Sequence, residues 1–297
     1  MSADRIGLVA DSSCVIPDEV RRELKVEVVP LDLEIDGRSY RDGVDLAPDE
    51  FYEKMATAKS VPRTSQPAPG AFIEVFSRMA PAVDRILCLT LSKELSGTFN
   101  SALQAARIFS EDAPPGAARP PVQVVDTRVA AAAAGLVVAE VARAVRAGAT
   151  WDQVLLRSCH VAERARLLVV VDTLEYLIRG GHVPKLAGMA AAALRLKPMV
   201  ELVEGEAVPA GVALSIDHAF DVMLRRITDE RGATQQSGRS ARLHVAVMHA
   251  GAAGRARQLL ALVRDKLTPV ESYLTDFTPA MGAHTGPGLV GVAYFVD

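Results

Sequence analysis

Residues 86–106 read ILCLTLSKELSGTFNSALQAA and join a predicted strand to a predicted helix. The first six of these residues are apolar or β-tolerant and include no Gly or Pro, which predicts a buried strand. Beyond the intervening polar turn, apolar residues recur at the spacing of one helix face, at positions 99, 102, 103 and 106. Residues 96–98 (SGT) therefore lie where the strand has ended and the helix begins.

The start of this helix permits two interpretations. Unpaired backbone N–H groups and the positive end of the helix dipole can bind an anion. Ser and Thr are also common helix caps, so Ser96 or Thr98 can serve that purpose alone. The segment by itself favours the cap, and other parts of the chain must decide whether Ser96 also belongs to a binding site.

Composition limits the classes of function. The 297 residues suffice for one large or two ordinary domains, and the net charge of −3 provides no basic field for nucleic acid. Apolar residues make up 49% of the chain but aromatic residues only 5%, so an interior pocket would be mainly aliphatic. Three scattered cysteines argue against a disulfide framework. With no signal-peptide pattern at the N-terminus, we expect a cytoplasmic protein, a monomer, that can touch a membrane surface transiently.

The chain divides into two halves of different pattern. Up to residue 150, strands alternate with helices, which predicts an α/β domain (1–150) with a mainly parallel sheet. Residues 151–297 predict a second α/β domain with a mixed sheet, including a hairpin around residues 204–206. Within these halves we expect one strand over 26–35, a polar loop over 39–43, a helix over 187–196 and a mobile loop over 229–242.

A proline-braced stretch forms a second candidate ligand edge. Residues 61–70 read VPRTSQPAPG, and three prolines in ten residues exclude a helix and keep the backbone extended. Between the prolines, residues 63–66 present a cation, two hydroxyls and an amide just before a predicted helix. An ordinary connecting loop explains the same pattern about as well. This segment, taken as 61–80, is also a candidate to pack with the second domain.

Several catalytic motifs are absent. Residues 286–291 match the letters G-x-G-x-x-G, but a strand rather than a helix is predicted to follow, so the match to the dinucleotide fingerprint is accidental. Glu94 replaces the first Gly of a nucleophile elbow around Ser96. Six dispersed histidines and unpaired cysteines predict no metal site. Asp11, Asp126 and Asp172 follow predicted strands, where a carboxylate can serve a site but more commonly caps the next helix.

Seven segments together resemble the DegV family of bacterial fatty-acid-binding proteins. They span the chain from Asp11 to Gly291, and the order and spacing of TSQP, LSGT and HTGPG are specific where each alone is weak. The matching segments are ADSSCVIPDEV (10–20), VVPLDLEIDGRSYRDGVDL (28–46), PRTSQPAPGAF (62–72), LTLSKELSGTFNSA (89–102), VVDTLEYLIRGG (170–181), KPMVEL (197–202) and GAHTGPGLVG (282–291).

The resemblance implies a two-domain α/β protein that holds a long-chain fatty acid between its domains and uses no cofactor. The family's carboxylate-binding residues correspond to Thr64 and Ser96, with Ser65 and Gly97 beside them and His284 near the head group. Arg179 would belong to a partner-docking surface. Such proteins present the fatty acid carboxylate to a fatty acid kinase, which makes the acyl phosphate, so the carrier is not itself an enzyme.

Two departures from the family pattern bear on the partner. His182 and Val183 stand where the family usually has an Arg-Ile pair after two glycines, and residues 211–220 contain no Lys or Arg where the family often has a basic stretch. Two other functions stay open, and the missing basic stretch supports the second of them. One is an acyl hydrolase or transferase that uses Ser96 and His284. The other is a lipid-sensing regulatory protein without a kinase partner.

Overall fold

The strands come from all parts of the chain. The computed structural model describes residues 4–112, 119–180 and 196–297. Within these ranges the strands are β1 (Ile6–Asp11), β2 (Val26–Val29), β3 (Asp32–Ile35), β4 (Arg38–Arg41), β5 (Arg63–Ser65), β6 (Arg85–Thr90), β7 (Val122–Asp126), β8 (Arg166–Val170), β9 (Lys197–Val203), β10 (Glu206–Ala213), β11 (Leu243–His249), β12 (Glu271–Asp276) and β13 (Val290–Val296).

The helices alternate with these strands, and prolines start several of them. Pro48, Pro69 and Pro279 each occupy the first turn, where a missing N–H costs nothing. The helices are α1 (Asp18–Leu24), α2 (Pro48–Thr57), α3 (Pro69–Met79), α4 (Thr98–Glu111), α5 (Ala131–Arg146), α6 (Trp151–Arg164), α7 (Glu175–Arg179), α8 (Ile216–Gln236), α9 (Ala253–Leu267) and α10 (Pro279–Thr285), with a short 3₁₀ helix at Ala80–Ala82.

The first half contains a parallel sheet, as predicted. Its order is β2-β1-β6-β7, and every neighbouring pair is parallel. Five of the six residues in both central strands, β1 and β6, are buried, because helices cover both faces of the sheet. The carboxyl ends of these strands meet at one edge, and the turn before α4 leaves from that edge.

The second half contains the predicted mixed sheet. Its order is β10-β9-β8-β13-β11-β12, and only β11 and β12 run parallel. Helices α5 and α6 pack on one face, and helices α8 and α9 pack on the other. Each face therefore contributes to a separate hydrophobic cluster, and apolar residues fill both sides of the central strands.

A third, small sheet corrects two predictions. The single strand expected over 26–35 is two strands, because Pro30 has no N–H for a ladder and the chain leaves the parallel sheet there. The polar loop expected over 39–43 contains β4, which forms a hairpin with β3 around Asp36 and Gly37, both at positive φ. Strand β5, within the proline-braced stretch, pairs with the other side of β3.

Helix α5 connects the two larger sheets. Eleven of its sixteen residues are buried, most of them Ala, and it contacts β1 of the parallel sheet and β8, β11 and β13 of the mixed sheet. Small side chains let both sheets approach the helix closely. At Gly135 a Cβ atom would lie 1.9 Å from the backbone oxygen of Val15, so only glycine fits. One hydrophobic cluster continues through this helix into both halves. The division at residue 150 stays a prediction.

The loop predicted over 229–242 is wrong for most of its length. Helix α8 continues to Gln236, because Ile227 is buried in the second cluster and Arg231 donates to the carbonyl oxygens of Ala241 and Leu267. These contacts tie down a segment whose polar composition suggested a loop. The helix predicted over 187–196 lies, apart from Leu196, outside the described residues, as do His182 and Val183.

Candidate functional site

A cavity lies between the carboxyl edge of the parallel sheet and the face of the mixed sheet that α5 covers. Its volume is about 180 Å³. Most of its lining residues are aliphatic and come from both halves of the chain. These apolar residues are Leu31, Leu91, Leu95, Ala130, Leu167, Val169, Leu177, Val200, Leu202, Ala207, Phe277, Ala280, Met281 and Leu289.

The polar lining contains all five residues that the sequence predicted for carboxylate binding. The polar lining residues are Thr64, Ser65, Gln66, Ser96, Gly97, Glu201, His284 and Thr285. The chain thus brings residue 64 and residue 284 to one cavity although 220 positions separate them. Their role as carboxylate ligands stays a prediction, whereas their common location is an observation.

Thr64 and His284 are in direct contact. Thr64 Oγ1 and His284 Nε2 form a hydrogen bond of 2.6 Å. Strand β5 holds Thr64 opposite Leu33 of β3, and helix α10 carries His284 in its last turn. Both residues line the cavity, so the hydroxyl and the imidazole are held there in one fixed arrangement.

Ser96 serves the helix end and lines the cavity at once. Gly97 is the residue immediately before α4, and Ser96 Oγ accepts a hydrogen bond from the Thr98 N–H at 3.3 Å. The two hydroxyls of Ser96 and Thr98 are also 2.9 Å apart. Ser96 therefore bonds the first N–H of α4 from the position before the N-cap residue, Gly97, whose place at the cap leaves the helix without a side-chain cap bond. The first turn of a helix also leaves N–H groups without intrahelical partners.

Three contacts fix the loops that carry these groups. A Cβ atom at Gly97 would lie 2.9 Å from the Gln66 amide, so the proline-braced stretch rests directly on the start of α4. Ser101 Oγ donates to the Pro67 carbonyl at 2.5 Å, which joins the same two segments. Ser92 Oγ donates to the Gly205 carbonyl at 2.8 Å and ties the turn after β6 to the β9–β10 hairpin.

Two buried carboxylates hold the backbone of the cavity wall. Asp11 accepts hydrogen bonds from the N–H groups of Ser13 at 2.9 Å and Leu91 at 2.8 Å. Asp42 accepts from Ser12 Oγ at 2.6 Å and from the Ala280 N–H, at the start of α10, at 2.8 Å. Burial raises the pKa of both carboxyl groups.

Asp42 supports the cavity wall from outside its lining, and the sequence analysis missed it. It lies in the polar stretch RSYRDG, which resembles a surface loop, and nothing local indicates that α10 from the other end of the chain packs on it. Asp11 was predicted to cap the next helix, but α1 begins only at Asp18 after Pro17, and Asp11 instead bonds Ser13 in the turn directly after β1. Its bond to Leu91, 80 residues away, has no sequence signal.

The glycines of HTGPG are required by close neighbours. Gly286 and Gly288 both have positive φ. A Cβ atom at Gly286 would lie 2.1 Å from the Tyr176 ring, and one at Gly288 would lie 2.1 Å from a carboxylate oxygen of Asp172. Strand β13 begins directly afterwards at Val290, so the G-x-G-x-x-G match is indeed accidental. Asp172 is held by Lys197 at 2.7 Å and by Arg255 at 3.0 Å.

Arg179 lies outside the cavity lining. Its guanidinium forms an exposed i,i+4 ion pair of 2.9 Å with Glu175 on α7, the helix whose Leu177 lines the cavity. A docking role for Arg179 is compatible with this exposure and stays a prediction.

One acidic cluster elsewhere brings three metal-type ligands together. Among the described residues, the side chains of Glu140, His244 and Glu271 alone approach closely enough to share a metal ion. Arg143 contacts both carboxylates, at 3.2 and 2.5 Å, and already supplies the positive charge. Burial disfavours the Glu271 carboxylate, but hydrogen bonds from His244 and its other partners outweigh this and lower its pKa to about 2.

Nearly the whole chain matches one protein family. The model of the DegV family, described as uncharacterised proteins, matches residues 5–297. The chain belongs to the DegV family. Among curated DegV relatives, the DegV domain-containing protein YejH of Lactococcus lactis is 30% identical over 286 residues, which cover 95% of this chain and 96% of that protein.

Two experimental structures of DegV proteins share the fold over almost the full length. The fatty-acid-binding DegV family protein of Thermus thermophilus is 29% identical with a TM-score of 0.88, over 99% of this chain and 100% of that one. A DegV lipid-binding protein of Thermotoga maritima is 26% identical with a TM-score of 0.83, over 98% of each chain. Among the described helices of this DegV chain, none combines the length and the apolar character needed to cross a membrane.

Proposed function

We propose that this protein binds a long-chain fatty acid in the cavity and presents the carboxylate to a partner kinase. The observation that carries the first part is the composition of the cavity wall, which is mainly aliphatic and gathers hydroxyls, an imidazole and a helix start around Thr64, Ser96 and His284. The fatty acid binding of the Thermus thermophilus relative supports the same assignment.

The polar groups suit a carboxylate head group. Thr64, Ser96 and the N–H groups at the start of α4 are hydrogen-bond donors, and His284 adds a ring nitrogen. Hydrogen bonds to a charged acceptor contribute about 1.5–3 kcal/mol each, and the positive end of α4 adds to them. These groups would set the orientation of the ligand.

The apolar wall suits the acyl chain and would supply most of the affinity. Burial contributes ~0.8 kcal/mol per methylene, so a chain of about 14 methylenes gives roughly 11 kcal/mol before the costs of association. Because most apolar lining residues are aliphatic, the acyl chain would pack mainly against flexible aliphatic side chains. We therefore expect affinity to depend on chain length and orientation to depend on the head group.

A binding titration tests this part. Delipidated protein is titrated calorimetrically with palmitic acid, hexadecanol and octanoic acid. We expect palmitic acid to bind most tightly, hexadecanol more weakly because it lacks the charged acceptor, and octanoic acid more weakly because it has eight fewer methylenes. Equal affinity for hexadecanol and palmitic acid would refute the head-group assignment, and no binding of palmitic acid would refute fatty acid binding.

The kinase partnership is the second part of the proposal. A site that holds its ligand by hydroxyls and an imidazole, with His284 Nε2 bonded to the Thr64 hydroxyl, suits presentation better than hydrolysis. Transient contact with a membrane surface would let the protein load and release fatty acid.

A reconstituted phosphorylation reaction tests the partnership. Fatty acid kinase, ATP and loaded protein are mixed, and acyl phosphate is trapped with hydroxylamine. We expect acyl hydroxamate only when all components are present. The Arg179→Ala variant should bind fatty acid normally but yield less product if Arg179 contacts the kinase, and Arg38→Ala, another exposed arginine, is the control. No product with functional kinase would favour a lipid-sensing role instead.

A further inference from the structure

Strand β8 runs along the cavity from the far end to the end at which the head group is proposed to bind. Its carboxyl end leads into α7, and a Cβ atom at Gly180, the residue after α7, would lie 3.0 Å from His284 Nδ1. Leu167 stands near the opposite end of the strand, three residues before Val170. At about 3.3 Å per residue, Leu167 therefore lies about 10 Å farther from the head-group side than Val170 does.

Strands β8 and β9 stop pairing at this far end. Their ladder joins residues 168–170 to residues 199–201 and ends at the pair Leu168 and Glu201. The next residues along each strand, Leu167 and Leu202, lie outside the ladder although both strands continue. Because side chains alternate along a strand, Leu167 and Leu202 point to the same face as Val169 and Val200, which line the cavity.

A second, polar groove begins on the other side of these two leucines. It has a volume of about 720 Å³, and Leu167, Glu201 and Leu202 line both it and the acyl cavity. Seven of the other thirteen residues in its wall are charged. Glu201 and Arg226 form an ion pair of 2.6 Å there, and Arg166 and Glu230 approach to 3.5 Å. A methylene that entered this groove would gain little, because burial against charged and hydrated groups does not replace water with apolar contacts.

We propose that Leu167 and Leu202 form a partition that ends the acyl cavity and sets the longest fatty acid the protein binds well. The inference rests on the proposed function and adds the residues that determine chain length. Methylenes on the head-group side of the partition contribute to affinity, and methylenes that must pass between the two leucines contribute nothing. Leu202 is the better position to test because it is only partly buried, so its replacement perturbs the core less than that of Leu167.

The test is a chain-length series in two opposite variants. Delipidated wild type, Leu202→Ala and Leu202→Phe are titrated with saturated fatty acids from ten to twenty carbons. In the wild type, affinity should rise about fourfold per methylene and then level off at one chain length. The levelling point should move to longer chains by at least two carbons in Leu202→Ala and to shorter chains in Leu202→Phe. Leu214→Ala, at an exposed leucine of the same half, is the control and should leave it unchanged.

The outcomes separate the two proposals. If the wild type binds no fatty acid of any length, the proposed function fails and the partition fails with it. If the wild type binds fatty acids but neither Leu202 variant moves the levelling point, the partition alone is refuted. Thermal unfolding establishes that each variant is folded. The Phe variant keeps the test decisive if the Ala variant does not fold, since it retains an apolar side chain at the position.

Discussion

Replacement of Thr64 by Val tests the head-group site with the smallest change in shape. Valine keeps the volume and β-branching of threonine, so β5 should retain its pairing with β3. The variant loses a hydroxyl that bonds His284 Nε2 at 2.6 Å and that would donate to the bound carboxylate. One charge-assisted hydrogen bond contributes about 1.5–3 kcal/mol, which corresponds to a roughly 10- to 150-fold loss of affinity.

The assay is calorimetric titration of delipidated protein with palmitic acid, supported by thermal unfolding. Thr64→Ser is the matched control, because it keeps the hydroxyl and removes only a methyl group. We expect Thr64→Ser to bind within a fewfold of the wild type while Thr64→Val falls in the range above. If Thr64→Val binds palmitic acid as tightly as Thr64→Ser, the hydroxyl does not contact the carboxylate and the reasoning is wrong.

Three further predictions concern stability. Asp42→Ala should lower the free energy of unfolding by roughly 2–5 kcal/mol, because it leaves the Ala280 N–H and a serine hydroxyl buried without their acceptor. Urea titration measures this, and an unchanged urea midpoint would show that Asp42 does not stabilise the fold. Gly135→Ala should lower the free energy of unfolding by about 1–3 kcal/mol although alanine has the better helix propensity, because the added methyl group meets the backbone of Val15. A variant more stable than the wild type would contradict that packing. The pKa of Glu271 is lowered from 4.5 to about 2, so its charged form stabilises the fold above pH 4.5 and this contribution is lost as the pH falls toward 2. Glu271→Gln should flatten unfolding free energy against pH within that window, and an unaltered slope would show that other groups control it.

The order of elements was predictable because local signals agree with the tertiary structure. The strand predicted from residue 86 is buried and is one of the two central strands of its sheet, and the helix predicted after the proline-braced stretch is α3. The errors in element boundaries arose where contacts with distant parts of the chain determine the local structure. At Pro30 the stretch predicted as one strand passes from the parallel sheet to the small sheet. Arg231 stabilises the end of α8 through bonds to carbonyl oxygens that the local sequence does not indicate.

The polar end of the site was predictable only through the combination of three motifs. Ser96 alone resembles a helix cap, and the structure confirms that it accepts a bond from the helix start. The resemblance to the DegV family is what connected it with Thr64 and His284. The acyl wall was not predictable, since its leucines and valines follow the same pattern as any core residue. The role of Asp42 could not be predicted for a different reason: its partner Ala280 is 238 positions away in the sequence.

The most direct test of fatty acid binding is mass spectrometry of the lipid that the protein retains. The protein is purified from a bacterial host without detergent and extracted with organic solvent, and the extract is compared with that of an unrelated protein purified in the same way. The account predicts free long-chain fatty acid at close to one molecule per chain, and much less from Thr64→Val. An extract with no more fatty acid than the unrelated protein yields would contradict it.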